Sequence, residues 1–250
     1  MGPSPTAPAR PAHGLASPDK FFASIRPLFG TMTKAQVEGI QAKLAAFAAA
    51  ASPLAYVAYG LATSFHETGQ RMQPIPEIGR GRNYPYGKPG KHAGQIAYGR
   101  GDVQLTWDYN YQRADDELGL KGALTSNYDR ALETDISAQI MVLGMTEGWF
   151  TTKRFSSYLP AKGPATLVQF TSARRIINGI DRAEKVAGCA MSFQAALVAG
   201  GCEAPVASGR KGGLPATADV RLTRDRPLVL GAGQAYPAHR AAARWRRSFL

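Results

Sequence analysis

The chain has 250 residues, 44% of them hydrophobic, which suffices for one sizeable domain or two small ones with a true core. Its formal net charge of +12 favours an anionic partner. No recognised nucleic-acid motif accompanies that charge, so specific nucleic-acid binding is not expected. No apolar run approaches the ~20 residues that span a bilayer, and the first residues lack the apolar stretch of a secretory signal. The two cysteines, Cys189 and Cys202, form neither a metal-ligand spacing nor a disulfide framework and read as two thiols.

Residues 1–16 are rich in Pro, Ala and Gly and read as a disordered tail. Ser17-Pro18 opens a first helix, with Ser as N-cap and Pro at the first helical position. Phe21, Phe22, Ile25 and Leu28 give it an apolar face, and Gly30 ends it. Thr33 starts a second helix, Gln36 completing a capping box, with Val37, Ile40, Leu44 and Phe47 at helical spacing. Ser52-Pro53 opens a third. Its buried stripe is Leu54, Val57, Leu61 and Phe65, and it stops near Thr68-Gly69. The next stretch, residues 70–101, holds seven glycines, four prolines and several tyrosines and basic residues, with no sustained periodicity. A loop of this length inside a compact domain is usually functional, and the expectation is a cleft wall. Helical signals resume over 108–118, 134–150 and 164–177. After a break at Asn178-Gly179, a further helix runs from a cap at Asp181 to Gly200-Gly201. Residues 203–250 contain nine Lys/Arg and three Asp/Glu, a basic tail suited to solvation or to an anionic surface. Within it a short strand at 227–230 and a terminal Arg-rich helix are the expected elements. The fold class is therefore mainly α, a helical domain over 17–202 with one long irregular segment.

Candidate chemistry begins at the end of the third helix, where His66 and Glu67 follow the buried stripe. A carboxylate at a helix C-terminus faces the negative end of the macrodipole, which disfavours its ionised form and suits a general acid. Between Glu67 and Asp102 the only acidic residue is Glu77. Glycosidases of the common kind use two carboxyl groups, about 6.5–9.5 Å apart in inverting enzymes, a span that ten residues reach easily. Downstream lies Tyr98-Gly99-Arg100-Gly101-Asp102-Val103-Gln104-Leu105-Thr106-Trp107, then Asn110-Tyr111. If extended, it puts Gln104 and Thr106 on one face, where amide and hydroxyl suit sugar hydroxyls and a bound water. The tyrosines and Trp107 suit stacking on sugar faces.

The ordered set His66-Glu67-Thr68, Gly79 with Tyr84-Pro85-Tyr86-Gly87, the Tyr98–Tyr111 motif, and Ile176-Ile177-Asn178-Gly179 followed by Asp181-Arg182 resembles glycoside hydrolase family 19, the chitinases and related phage lysins. The matching segments cover roughly 21–197. The resemblance implies a lysozyme-like helical fold with a deep cleft and an inverting mechanism without metal or organic cofactor. It implies Glu67 as general acid, Glu77 as general base and Thr106 as the residue that helps hold the attacking water. His66, Tyr98, Gln104, Asn110 and Asn178 are the expected sugar-binding residues. The Glu67–Glu77 spacing is short and cysteines are few compared with the plant enzymes, so the chain looks closer to the compact bacterial and phage branch. Asp102, inside the Gly-Arg-Gly-x-x-Gln motif, is the fallback base.

The expected substrate is an N-acetylglucosamine-containing wall polymer, peptidoglycan ahead of chitin because of the basic tail and the missing signal. A monomer made in the cytoplasm and acting on the wall after release is expected, as is contact of the tail with an anionic envelope. The alternative of another class is a wall-polysaccharide-binding protein that has lost catalysis.

Overall fold

A computed structural model describes residues 14–202. The tail 203–250, with its expected strand and helix, and residues 1–13 lie outside the described residues. The helices are α1 (Pro18–Phe29), α2 (Lys34–Ala49), α3 (Leu54–Glu67), α4 (Asp108–Glu117), α5 (Ala123–Ser126), α6 (Thr134–Glu147), α7 (Leu167–Ala173) and α8 (Ala183–Ala199). Four 3-10 turns interrupt the connections, at Pro85–Gly87, Tyr128–Leu132, Phe155–Ser157 and Arg174–Ile176. The expectation of a mainly α fold holds. No helix among the described residues is long and apolar enough to cross a membrane.

The sequence reading treats α3 as amphipathic; instead every residue from Leu54 to Phe65 is buried. An apolar helix without a polar face belongs at the centre of a fold. Here α8 packs along α3, with α1 and α7 against α8, while α2 lies on α6. Aromatic contacts lock this centre. Phe65 meets Phe29 and Phe193 edge-on, and Tyr59 stacks on Phe170. Just before Ser17, Leu15 is buried in the core, and the Ser17 N–H donates to the Gly200 carbonyl at 2.8 Å, joining the start of α1 to the end of α8.

Several helix boundaries differ from expectation for local reasons. Thr33 and Gln36 form the expected capping box, but Ser17 makes no side-chain cap, and α3 starts after Pro53, which itself occupies the N-cap. The expected helix to 150 stops at Glu147, because Gly148 turns left-handed (φ 81°). Over 164–177 a Thr166–Gln169 capping box starts α7 later than Pro164, and the last turn tightens to a 3-10 turn. Asp181 is not the cap of α8; Arg182 takes that place, and the Asp181 carbonyl accepts from Arg174 Nε at 3.0 Å.

The long segment is closed by a two-stranded antiparallel ribbon, β1 (Ile75–Pro76) with β2 (Arg100–Gly101). A ribbon this short has little stability of its own. It is fastened instead by the next residue. Asp102 is fully buried, its Oδ1 accepting from Ser64 Oγ on α3 at 2.7 Å and pairing with Lys43 Nζ on α2 at 2.9 Å. Its Oδ2 accepts from Ser137 Oγ on α6 at 2.7 Å. Lys43, equally buried, also donates to the Gly39 and Met72 carbonyls. Three helices thus converge on one carboxylate, and Asp102 cannot serve as a base: it reaches no solvent and both its oxygens are engaged.

Candidate active site

Glu67 ends α3, with His66 beside it. The charge that faces Glu67 most closely is not the helix terminus but Arg174, whose Nη1 donates to Glu67 Oε1 at 2.6 Å. Arg174 is almost wholly buried and is also held through Nε by the Asp181 carbonyl, while the Glu67 side chain keeps 16% of its exposure. The two residues are 107 positions apart, and no sequence signal pairs them. Arg174 does sit four residues before Asn178, in the segment the family motif marks. His66 is half-buried; burial first, then Arg174, Lys185 and Arg182, lower its pKa from 6.5, against the opposing Glu67 carboxylate.

Glu77 follows β1 directly. Its backbone N–H donates to the Gly99 carbonyl at 2.7 Å, the Gly99 N–H returns to Glu77 Oε2 at 3.1 Å, and the Tyr86 hydroxyl donates to Oε1 at 3.0 Å. Every contact to the carboxylate is a donor, so Glu77 is held as an acceptor. Burial and the adjacent Glu77 charge push the Tyr86 phenol far above its ordinary pKa, which keeps it a donor. Tyr86 is the positioning residue that reading single residues missed, although it lies inside the Tyr-Pro-Tyr-Gly match.

The stretch 98–107 is not extended. Arg100 and Leu105 pair across a tight hairpin in which Gln104 (φ 55°) and Trp107 (φ 78°) adopt left-handed backbone. Gln104 and Thr106 still converge, by folding around Gly99. A Cβ at that glycine would stand 2.7 Å from Gln104 Oε1 and 3.3 Å from Thr106 Oγ1, so no side chain fits there. The Thr106 hydroxyl donates to the Gln104 carbonyl at 2.8 Å, which leaves its lone pairs to accept. Gln104 spends its amide N–H groups on the Ile75 and Gly101 carbonyls, while its Oε1 is buried with no partner. Asn110 Nδ2 donates to the Thr106 carbonyl at 2.8 Å, and Asn178 Oδ1 accepts from the Gly179 N–H at 2.9 Å.

Tyr98 is placed differently from expectation. Its ring is buried under the Arg100 guanidinium, 3.5 Å from the centroid, within a cluster that includes Tyr111 and Tyr128. Tyr98 therefore builds the wall of the site from behind. The exposed aromatic strip is formed by others. Tyr84 stacks on Tyr86, Tyr86 meets Trp107 edge-on, and Trp107 stacks on Tyr109, which is 65% exposed. Cys189 is a free thiol.

No protein-family model matches the chain. An endochitinase of Arabidopsis thaliana is 39% identical over 114 residues, a match covering 40% of this chain and 38% of that protein. The chain thus matches well under half the length of this curated relative. Chitinase C from Streptomyces griseus superposes with a TM-score of 0.43 at 23% identity, covering 74% of this chain and 77% of its own. A bacterial family 19 chitinase gives 0.43 at 22%, covering 74% of this chain and 96% of its own.

Proposed function

We propose that the protein is an inverting glycoside hydrolase that cleaves β-1,4 bonds of an N-acetylglucosamine-containing wall polymer, with residues 17–202 as its catalytic domain and 203–250 as a basic appendage. The observation that carries this reading is a pair of fixed carboxyl groups. Glu67 is held by Arg174 at the end of α3, and Glu77 is held after β1 by the Tyr86 phenol and the Gly99 N–H, with the Thr106 hydroxyl close to Gly99.

In this reading neutral Glu67 protonates the glycosidic oxygen, and Arg174 stabilises the carboxylate left behind. Thr106, with its own proton committed to Gln104, accepts one hydrogen of a water, and Glu77 takes the other as base. The water attacks the anomeric carbon from the opposite face as an oxocarbenium-like state forms. His66, Asn110 and Asn178, with the strip Tyr84, Trp107 and Tyr109, contact the sugars, while Gln104, expected among them, instead ties Ile75 to Gly101 and receives the Thr106 proton. No step calls on a metal or cofactor.

Peptidoglycan is the preferred substrate because it is anionic and the chain carries +12. Chitin is the second reading, favoured by the names of the similar proteins. Synthesis in the cytoplasm, with action on the wall after release, belongs to the first. Glu67→Gln retains shape and removes the transferable proton. The release of reducing ends from purified peptidoglycan and from colloidal chitin, side by side, should fall by about 10²–10⁴ in kcat on whichever polymer is the substrate. Near wild-type turnover by Glu67→Gln would overturn the assignment. Wild-type binding without any release would favour the non-catalytic reading.

A further inference from the structure

Residues 14–202 have a net charge of +5, and all of it falls within 70–101; the flanking stretches 14–69 and 102–202 together sum to zero. A charge imbalance confined to one segment is not what solubility requires, since mixed signs serve that purpose as well.

Within the segment, Arg100 is buried and paired with Asp129 at 2.8 Å. Arg80, Arg82, Lys88 and Lys91 are exposed. No ion pair engages them among the described residues. Their place is specific. From Glu77 the chain makes successive turns, Arg80 N–H to the Glu77 carbonyl at 3.1 Å and Arg82 N–H to the Gly79 carbonyl at 2.9 Å, before Tyr86 returns its hydroxyl to the Glu77 carboxylate. A Cβ at Gly87 would lie 1.9 Å from the Gly81 carbonyl oxygen, so the two limbs of the loop touch. Arg80 and Arg82 are thus carried on a closed loop whose ends meet at the candidate base. Arg80 also reaches towards the Tyr98 ring, 6.0 Å from its centroid. On the Glu67 side, Arg182 and Lys185 lie close enough to His66 to disfavour its protonation, so the positive field continues across the site.

We propose that Arg80 and Arg82 beside Glu77, continued along the same segment by Lys88 and Lys91, form a carboxylate-binding rim, which takes the acidic groups of peptidoglycan peptide stems while the glycan lies in the cleft. This rests on the peptidoglycan reading above. A neutral N-acetylglucosamine polymer offers such a rim nothing, whereas a stem-bearing glycan offers a carboxylate on every peptide. Clustered charges of one sign around a cleft raise the local concentration of an opposite-sign polymer, and salt screens the effect.

The test is co-sedimentation of the full chain, on ice, with purified sacculi from a Gram-negative source, which carry stem carboxylates and no teichoic phosphate. A matched batch has its carboxyls converted to neutral amides. The variants are Arg80→Gln/Arg82→Gln, Lys88→Gln/Lys91→Gln and the combined fourfold change, each checked by its melting midpoint. On native sacculi the fourfold variant should bind roughly tenfold more weakly than wild type at low salt. On amidated sacculi, or at about 0.5 M salt, the gap should close. The basic tail is present in every protein and cancels from the comparison. No gap on native sacculi, or a gap that survives amidation, would overturn the proposal. Reducing-end release from the same native sacculi tests the hydrolase reading separately, so a binding rim on a protein that cuts nothing would show at once.

Discussion

Asp102→Ala separates a structural tie from a catalytic base. Asp102 and Lys43 are both fully buried and 2.9 Å apart, and two serine hydroxyls from α3 and α6 complete the carboxylate's shell. Alanine leaves the Lys43 ammonium buried with only the Gly39 and Met72 carbonyls as partners. Removing one member of such a pair costs about 3–5 kcal/mol. At about 2–4 °C per kcal/mol for a domain of this size, the melting midpoint should fall by roughly 6–20 °C. The assay is thermal unfolding by circular dichroism, with peptidoglycan release measured well below the lowered midpoint. A loss of activity of several orders of magnitude, with an unmoved melting midpoint, would refute the structural assignment and return Asp102 to the role of base.

Two further outcomes follow from the site. Tyr86→Phe removes one of the donors to Glu77 while keeping the ring between Tyr84 and Trp107; kcat should fall by about tenfold with KM little changed, and a change in KM alone would mean that Tyr86 serves the sugar rather than the base. His66 predicts a pH dependence of stability. Its pKa is lower in the folded state than the free value of 6.5, chiefly through burial, so the unfolded chain takes the proton first as pH falls. Its contribution is fully present above 6.5 and is lost as pH drops through the lower folded value. Denaturant unfolding at pH 7.5 and 5.0 should therefore show a larger loss for wild type than for His66→Asn, and parallel losses would contradict it.

What could be read from the sequence was what neighbouring residues determine. The Thr33–Gln36 box, the Gly30 stop and the end of α3 at Glu67-Thr68 depend on contacts within one turn, and they stand as expected. The complete burial of α3 was not legible, because Thr63, Ser64 and the tyrosines on its sides look solvent-tolerant until the surrounding helices are in place. Arg174 was invisible as the partner of Glu67 for the same reason: periodicity within a segment says nothing about a contact made across 107 residues. Asp102 reads as a fallback base because an acid just after Gly101 looks accessible, whereas it is the meeting point of three helices. Tyr98 is a wall where a sugar contact is expected, and Tyr109 is the exposed ring, since either aromatic can be a wall or a platform and the Arg100 guanidinium over Tyr98 decides between them.

The two candidate acids are positioned from opposite sides of the chain, yet a single bonded circuit connects them. Ser64 lies one turn before Glu67 and donates to Asp102; Asp102 follows β2; β2 pairs with β1; and Glu77 follows β1. Two residue pairs are too few to hold a strand register unaided, and a one-residue slip would turn Glu77 to the other face of the ribbon. A buried charge pair at this point is poorly explained by stability alone, since apolar side chains of similar volume often serve as well or better. Its value is directional: a carboxylate with three helical partners fits in one orientation, whereas a leucine tolerates several. Lys43→Met/Asp102→Leu tests that distinction. The double variant should recover most of the stability that Asp102→Ala loses, because no unpaired charge remains. It should still hydrolyse slowly, because the ribbon that carries Glu77 loses its side-chain ties to α2 and α3. If the double variant regained both stability and turnover, packing alone would set the distance between the acids, and the buried pair would have no part in aligning them.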